Sequence, residues 1–264
     1  MSITLGVELP FRKKNFLSEE ELQWFRDYLE DLNLRKELIL LPDLTREQIE
    51  TKMNDWIVDH FLGRIQCSLA AGEFPEDKLA KLNAYAKSIN PNAEFRYISF
   101  VRYSTKYGQP QLGPHLDPPT NEHFMFDIQL NSNIDWPIVV DNEGVLEEHT
   151  IEDNEALILD ITRQTHWRKP VKFQDGDYLD MLFVSYTDSR IEVPSLEWQG
   201  EQVMKRMGDY GWQLLEIFPE LEDQLRNGDA CSAGFVIDGT EERVRGLIKE
   251  FGQARSTINI PKIS

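Results

Sequence analysis

From Phe124 to Leu130 the chain alternates, with Phe124, Phe126, Ile128 and Leu130 on one face and Met125, Asp127 and Gln129 on the other. That is the period of a strand with two unlike faces. Short segments rich in β-branched and aromatic residues recur at Phe95–Tyr103, Pro137–Val140, Ala156–Ile161, Thr165–Lys169 and Tyr178–Tyr186, and Asp141-Asn142-Glu143-Gly144 is a turn signal among them. Many short strands separated by turns predict a barrel or sandwich.

The flanking pattern is helical. Ser18 followed by Glu21 has the form of a capping box, and Leu22, Phe25, Leu29 and Leu32 follow at helical spacing. Thr45 and Gln48 repeat the start signal, with Ile49, Met53, Trp56, Ile57 and Phe61 as the apolar face of a second helix. Pro75 opens a third, with Leu79, Leu82 and Ile89 on one side. After Pro194 the pattern predicts a helix around Val203–Leu225, a strand at Ala233–Ile237 and an amphipathic helix at Thr240–Phe251. The expected fold class is α+β. Residues 1–192 form the main domain, with helical support over 1–90 and a β core over 91–192. Residues 193–264 form an α/β extension open to a role as lid or dimer contact.

Charge narrows the partners. The 46 acidic and 28 basic residues give a formal net charge of −18, a surface that repels phosphate backbones and anionic lipid heads. Arg12-Lys13-Lys14 is too short to form a basic patch, so nucleic acid is not an expected partner. The two cysteines, Cys67 and Cys231, form no CxxC pair and read as buried thiols of a reducing compartment. No apolar run approaches a membrane span, and the N-terminal residues lack the order of a secretory signal. A cytoplasmic protein with no membrane partner is expected.

Five histidines are present: His60, His115, His123, His149 and His166. His115 and Asp117 are one residue apart, so an extended backbone projects both to one face. His166, at the end of a predicted strand, can complete a set of two imidazoles and one carboxylate. Such a facial triad leaves half of an octahedron open and is associated with iron(II) oxygenases. The competing readings are an Asx turn before Pro118-Pro119 for the first two, and a core-edge histidine for the third. His60 falls on the predicted second helix, His149 in an acidic surface stretch, and His123, close to the HxD, reads as a substitute ligand or a substrate-facing group. GxGxxG, P-loop, HExxH and GxSxG patterns are absent.

The segment Val101-Arg102-Tyr103-Ser104-Thr105-Lys106-Tyr107-Gly108, followed by His115-Leu116-Asp117, resembles the prolyl 4-hydroxylase branch of the Fe(II)/2-oxoglutarate oxygenases. The stretch His166-Trp167-Arg168-Lys169-Pro170-Val171 resembles that branch's distal-histidine segment. Asp135-Trp136-Pro137-Ile138-Val139-Val140-Asp141 and Glu155-Ala156-Leu157-Ile158-Leu159-Asp160 are similar to a microbial subgroup. The resemblance covers about residues 95–188. It implies a double-stranded β-helix, of jelly-roll or cupin-like form, with helices buttressing one sheet.

The resemblance also implies a reaction and its components. Iron(II) would be held by His115, Asp117 and His166. 2-Oxoglutarate and O2 would be co-substrates, and ascorbate the reductant. The products would be succinate, carbon dioxide and a hydroxylated C–H bond of an amino acid, a proline-like peptidyl residue or a peptide-derived small molecule. Tyr103 matches the tyrosine that bonds the far carboxylate of 2-oxoglutarate. The sequence departs from the pattern where a lysine is expected about ten residues after the distal histidine: Gln174-Asp175-Gly176-Asp177-Tyr178 holds none. Arg168 shares a face with His166 on an extended backbone and is the expected substitute, with Lys172 and Arg102 in reserve. A non-redox metal cupin, or an inactive binding protein on the same fold, is the alternative. A homodimer is open to either.

Overall fold

The computed structural model describes residues 9–39, 56–59, 63–70, 72, 74–106, 108–117, 123–188, 190–192 and 194–221. Its strands are β1 (Phe11–Lys13), β2 (Trp56–Asp59), β3 (Arg64–Ala70), β4 (Glu94–Ser104), β5 (Phe124–Ser132), β6 (Ile138–Asn142), β7 (Val145–His149), β8 (Ala156–Leu159), β9 (Thr165–Arg168) and β10 (Tyr178–Thr187). The helices are α1 (Glu19–Ile39), α2 (Glu76–Ile89) and α3 (Leu196–Ile217), with a 3-10 turn at Pro219–Leu221.

The strands form two antiparallel sheets, a larger one in the order β1-β8-β5-β10-β4-β3-β2 and a smaller one in the order β7-β6-β9. A bridge between His115 and His166 extends the smaller sheet beyond β9. The result is a double-stranded β-helix.

The alternation in β5 places its residues on two faces. Phe124, Phe126, Ile128 and Leu130 join the core between the larger sheet and the helices, with Phe25 and Leu29 of α1 and Leu82 and Ala86 of α2. Met125 lies on the opposite face with Ile138 and Val140 of β6 and Leu157 and Leu159 of β8, filling the space between the sheets. Aromatic rings dominate the helix side: Phe25, Phe74 and Phe100 lie with centroids 6.0–6.2 Å apart.

α1 starts where its capping box predicts. The Ser18 N–H donates to Glu21 Oε2 at 2.7 Å, and the Glu21 N–H donates to Ser18 Oγ at 3.3 Å. α2 begins after Pro75 and buries Leu79, Leu82 and Ile89 as expected.

The expected second helix is corrected where it can be seen. Trp56 and Ile57 belong to β2, with Trp56 opposite Cys67 of β3, and β3 itself interrupts the region expected to be helical. The remainder of that stretch, His60 included, lies outside the described residues. So do Cys231, the strand expected at Ala233–Ile237 and the helix expected at Thr240–Phe251.

β7 is a further difference, a strand with the burial of an edge that the pattern did not predict, directly after the turn expected at Asp141–Gly144. Helix α3 starts seven residues before its expected position. It lays Val203, Met207, Tyr210 and Leu214 against Val139 and Trp167, on the outer face of the smaller sheet. This helix is therefore a buttress. No described helix is long and apolar enough to cross a membrane.

Candidate active site

On β9, Trp167 points outward to α3, so His166 and Arg168 face the interior. The register places His166 opposite Val140 and Arg168 opposite Ile138 on β6. The segment carrying His115 and Asp117 is fixed by main-chain bonds. The His115 N–H donates to the His166 carbonyl at 3.1 Å, the His166 N–H to the His115 carbonyl at 3.0 Å, and the Asp117 N–H to the Ile161 carbonyl at 2.9 Å.

This backbone arrangement brings the two imidazoles together, with the Asp117 carboxylate beside His115. The two imidazole centroids are 4.2 Å apart, and His115 Nε2 lies 4.0 Å from Asp117 Oδ1. Two atoms each bonded to one ion at about 2.1 Å are at most about 4.2 Å apart. At 4.0 Å the carboxylate is inside that limit but farther than the separation of about 3.0 Å between adjacent ligands of an octahedron. Among the described residues, no three His, Cys, Asp or Glu form a ready metal-holding group as placed.

The donor set itself suits a metal. His115 Nδ1 donates to the Gly113 carbonyl at 2.8 Å and His166 Nδ1 to the Gln164 carbonyl at 3.0 Å. A carbonyl can only accept, so both protons sit on Nδ1 and both Nε2 atoms carry a lone pair. That is the tautomer a metal takes, fixed by a main-chain partner.

His123 has the opposite tautomer. Its Nδ1 accepts from the Asp188 N–H at 2.9 Å, which leaves the proton on Nε2 and no lone pair there. Burial lowers its pKa. It is not a substitute ligand in this state. His149, expected at the surface, has a side chain only 13% exposed, with Nε2 3.6 Å from Glu147.

Arg168 is buried among uncharged groups. It donates to the Trp136 carbonyl and to Met181 Sδ, and its guanidinium carbon lies 5.1 Å from the Trp136 ring centroid. No described carboxylate lies within ion-pair distance of it. Burial lowers its pKa, while Tyr103 and Asp127 act to raise it.

Tyr103 is buried and meets Trp136 edge-on at 5.0 Å, so Arg168 and Tyr103 flank one indole. The Tyr103 hydroxyl accepts from Arg64 at 3.2 Å. The reserve cations are placed elsewhere. Arg102 is paired with Asp180 at 2.6 Å, and Lys172 is exposed.

Comparison with known proteins matches this architecture through structure alone: no family model and no curated protein matches the sequence. A prolyl 4-hydroxylase from Pseudomonas putida superposes with a TM-score of 0.50 at 12% identity, over 67% of this chain and 91% of that one. The two share the double-stranded β-helix fold. The carbocyclase SnoK from nogalamycin biosynthesis gives a TM-score of 0.49 at 13% identity, over 70% of this chain and 80% of that one. HygX from Streptomyces hygroscopicus, with nickel and 2-oxoglutarate bound, gives 0.47 at 11% identity, over 71% and 84%.

Within this double-stranded β-helix, sequence reasoning missed one contributor. Gln199, in the first turn of α3, donates to the Asp117 carbonyl at 3.4 Å and to the Thr162 carbonyl at 3.2 Å. It ties the buttressing helix to the HxD segment. Nothing near Gln199 in the sequence signals a contact to a residue 82 positions away.

Proposed function

We propose that the chain is an Fe(II)- and 2-oxoglutarate-dependent oxygenase that hydroxylates a C–H bond of an amino acid, a proline-like peptidyl residue or a peptide-derived small molecule. His115, Asp117 and His166 would hold the metal. Arg168, with Tyr103 beside it, would hold the far carboxylate of 2-oxoglutarate.

The observation that carries this reading is Arg168, a buried guanidinium without a carboxylate partner, two residues from His166 on the same strand face. A buried charge without a counter-ion costs several kcal/mol. A carboxylate-bearing ligand seated beside the two imidazoles removes that cost. Guanidinium also matches carboxylate geometry in a bidentate way that an ammonium does not.

When bound, iron and 2-oxoglutarate supply the oxidising chemistry, in which O2 and 2-oxoglutarate give succinate, carbon dioxide and a hydroxylated product. The protein's part is positional. The Gly113 and Gln164 carbonyls hold the imidazoles in the ligating tautomer. Asp117 supplies a negative charge against the cation. Trp136, Met181 and Leu179 wall the Arg168 end with apolar surface that excludes water.

The test is direct. Purified protein given Fe(II), ascorbate and 2-oxoglutarate in air is expected to form succinate, slowly without primary substrate, and to stop when a chelator is added. Failure to form succinate, together with no change in melting temperature on adding 2-oxoglutarate and metal, overturns the reading. Activity that is independent of oxygen points to the non-redox cupin.

A further inference from the structure

We infer that Asp127 is a substrate-binding carboxylate that takes a cationic nitrogen of the primary substrate, so that the preferred substrates carry a free ammonium group rather than an acylated one. The inference rests on the oxygenase reading above and narrows its substrate class.

Asp127 sits on β5, opposite Leu157 of β8 and Phe183 of β10. It shares the interior face with Met125, in the apolar wall formed by Leu157, Leu159 and Phe183. Nothing in that wall can donate a hydrogen bond to a carboxylate. Its Oδ1 is buried without a hydrogen-bond partner.

The other buried acids among the described residues are treated differently. Asp180 is paired with Arg102 at 2.6 Å, Glu155 with Arg12 at 2.5 Å, Asp188 with Arg190 at 2.6 Å and Asp141 with Arg206 at 2.7 Å. Each has a guanidinium of this chain. Asp127 is the exception, although Arg168 faces the same interior and attracts it electrostatically. Arg168 is held instead by the Trp136 carbonyl and Met181, outside hydrogen-bond range of Asp127. Two opposite buried charges left unjoined mark places for two ligand groups of complementary charge, an anion at Arg168 and a cation at Asp127.

The charge balance says what arrives at Asp127. A divalent metal with Asp117, and a co-substrate dianion with Arg168, together come to zero. Asp127 then leaves one uncompensated negative charge in an apolar wall, which is costly. A neutral amide N–H would satisfy a hydrogen bond there but not the charge, whereas an ammonium satisfies both. Burial pushes the Asp127 pKa up to about 7, with Arg168 opposing and Asp117 adding to the rise. The carboxyl can therefore hold a proton while the site is empty and exchange it for the substrate's cation.

The probes are the free standard amino acids, proline among them, and their N-acetyl counterparts. Succinate formed without any probe tests the oxygenase reading by itself, so its failure is separable from that of the present inference. Binding is read anaerobically by calorimetry, with Co(II) in place of iron and 2-oxoglutarate present, and turnover by succinate release. At least one free amino acid is expected to bind and to stimulate turnover, with its N-acetyl form bound at least tenfold more weakly. Asp127→Asn is expected to weaken the free amine at least tenfold and to bring the ratio between the two forms close to one. Asp127→Glu, which keeps the charge, is expected to retain the preference. Melting curves establish that each variant is folded. The inference is overturned if no free amine binds, if N-acetyl forms bind equally well, or if the folded Asp127→Asn protein keeps the wild-type preference.

Discussion

His115 and His166 exchange two main-chain hydrogen bonds, at 3.1 and 3.0 Å, across a single antiparallel bridge. The two imidazoles are thus registered by the sheet and do not depend on an ion to bring them together. Truncating either side chain leaves both bonds in place. His166→Ala and Asp117→Ala are therefore expected to reduce succinate formation at least about 100-fold, more than the loss of an outer partner alone would cause. Their melting temperatures without metal should stay within a few degrees of wild type. Substantial turnover in either variant would remove these residues from the metal site.

Arg168 separates co-substrate binding from metal binding. Arg168→Ala is expected to raise the 2-oxoglutarate concentration needed for half-maximal succinate formation by at least tenfold, while Co(II) binding by calorimetry changes little. Arg168→Lys should recover only part of the loss, because an ammonium cannot reproduce two parallel hydrogen bonds. An unchanged 2-oxoglutarate requirement in Arg168→Ala would assign the anchor to another group.

Much of this arrangement is readable along the chain because strands announce their faces. The alternation in β5 separates Phe126 from Asp127, and the spacing of His166 and Arg168 places both inward once the segment is taken as extended. The N-terminal half is less legible. Trp56 and Ile57 follow Ile49 and Met53 at intervals that suit a helix, yet they pair with Cys67 and Gln66 in β2 and β3. Local spacing carries no information about that pairing. β7 is hidden for a similar reason: Val145 and Leu146 are exposed and Glu147 and Glu148 are charged, so an edge strand looks like the turn beside it. The solitude of Asp127 is not legible either, since it depends on where four arginines of distant segments go.

Arg102 provides the contrasting cation. It bonds both oxygens of Asp180 and also reaches Glu30, with its side chain 21% exposed against 5% for Asp180. Its charge is already committed, and the attraction of these two acids raises its pKa against the opposing effect of burial. Arg102→Ala strands the Asp180 carboxylate between β4 and β10 and is expected to cost about 3 kcal/mol of stability in urea denaturation. The 2-oxoglutarate requirement of the folded variant should equal that of wild type. A many-fold rise without loss of stability would make Arg102 the co-substrate anchor.

Asp127 makes stability depend on pH in a way that can be isolated. An unfolded aspartate titrates near 3.9, whereas burial lifts the folded group to about 7. Between these values the native carboxyl holds a proton that the unfolded one has released. Its contribution to stability is therefore complete below about pH 4 and is lost as pH rises through about 7. The amide side chain of the Asp127→Asn variant cannot titrate, and every other ionisable group is shared by the two proteins. Asp127→Asn is thus expected to be more stable than wild type, without metal or co-substrate, by a margin that widens from pH 5 to about pH 7 and is level above pH 8. The widening should be on the order of a few kcal/mol, since each unit of pKa difference corresponds to about 1.4 kcal/mol. Arg168 on β9 and Asp117 before β5 are the charged groups acting on it, in opposite directions. Urea denaturation of both proteins at pH 5, 6, 7 and 8 measures the margin. A margin that does not change with pH would mean that Asp127 is ionised throughout, with a cation beside it in the folded protein.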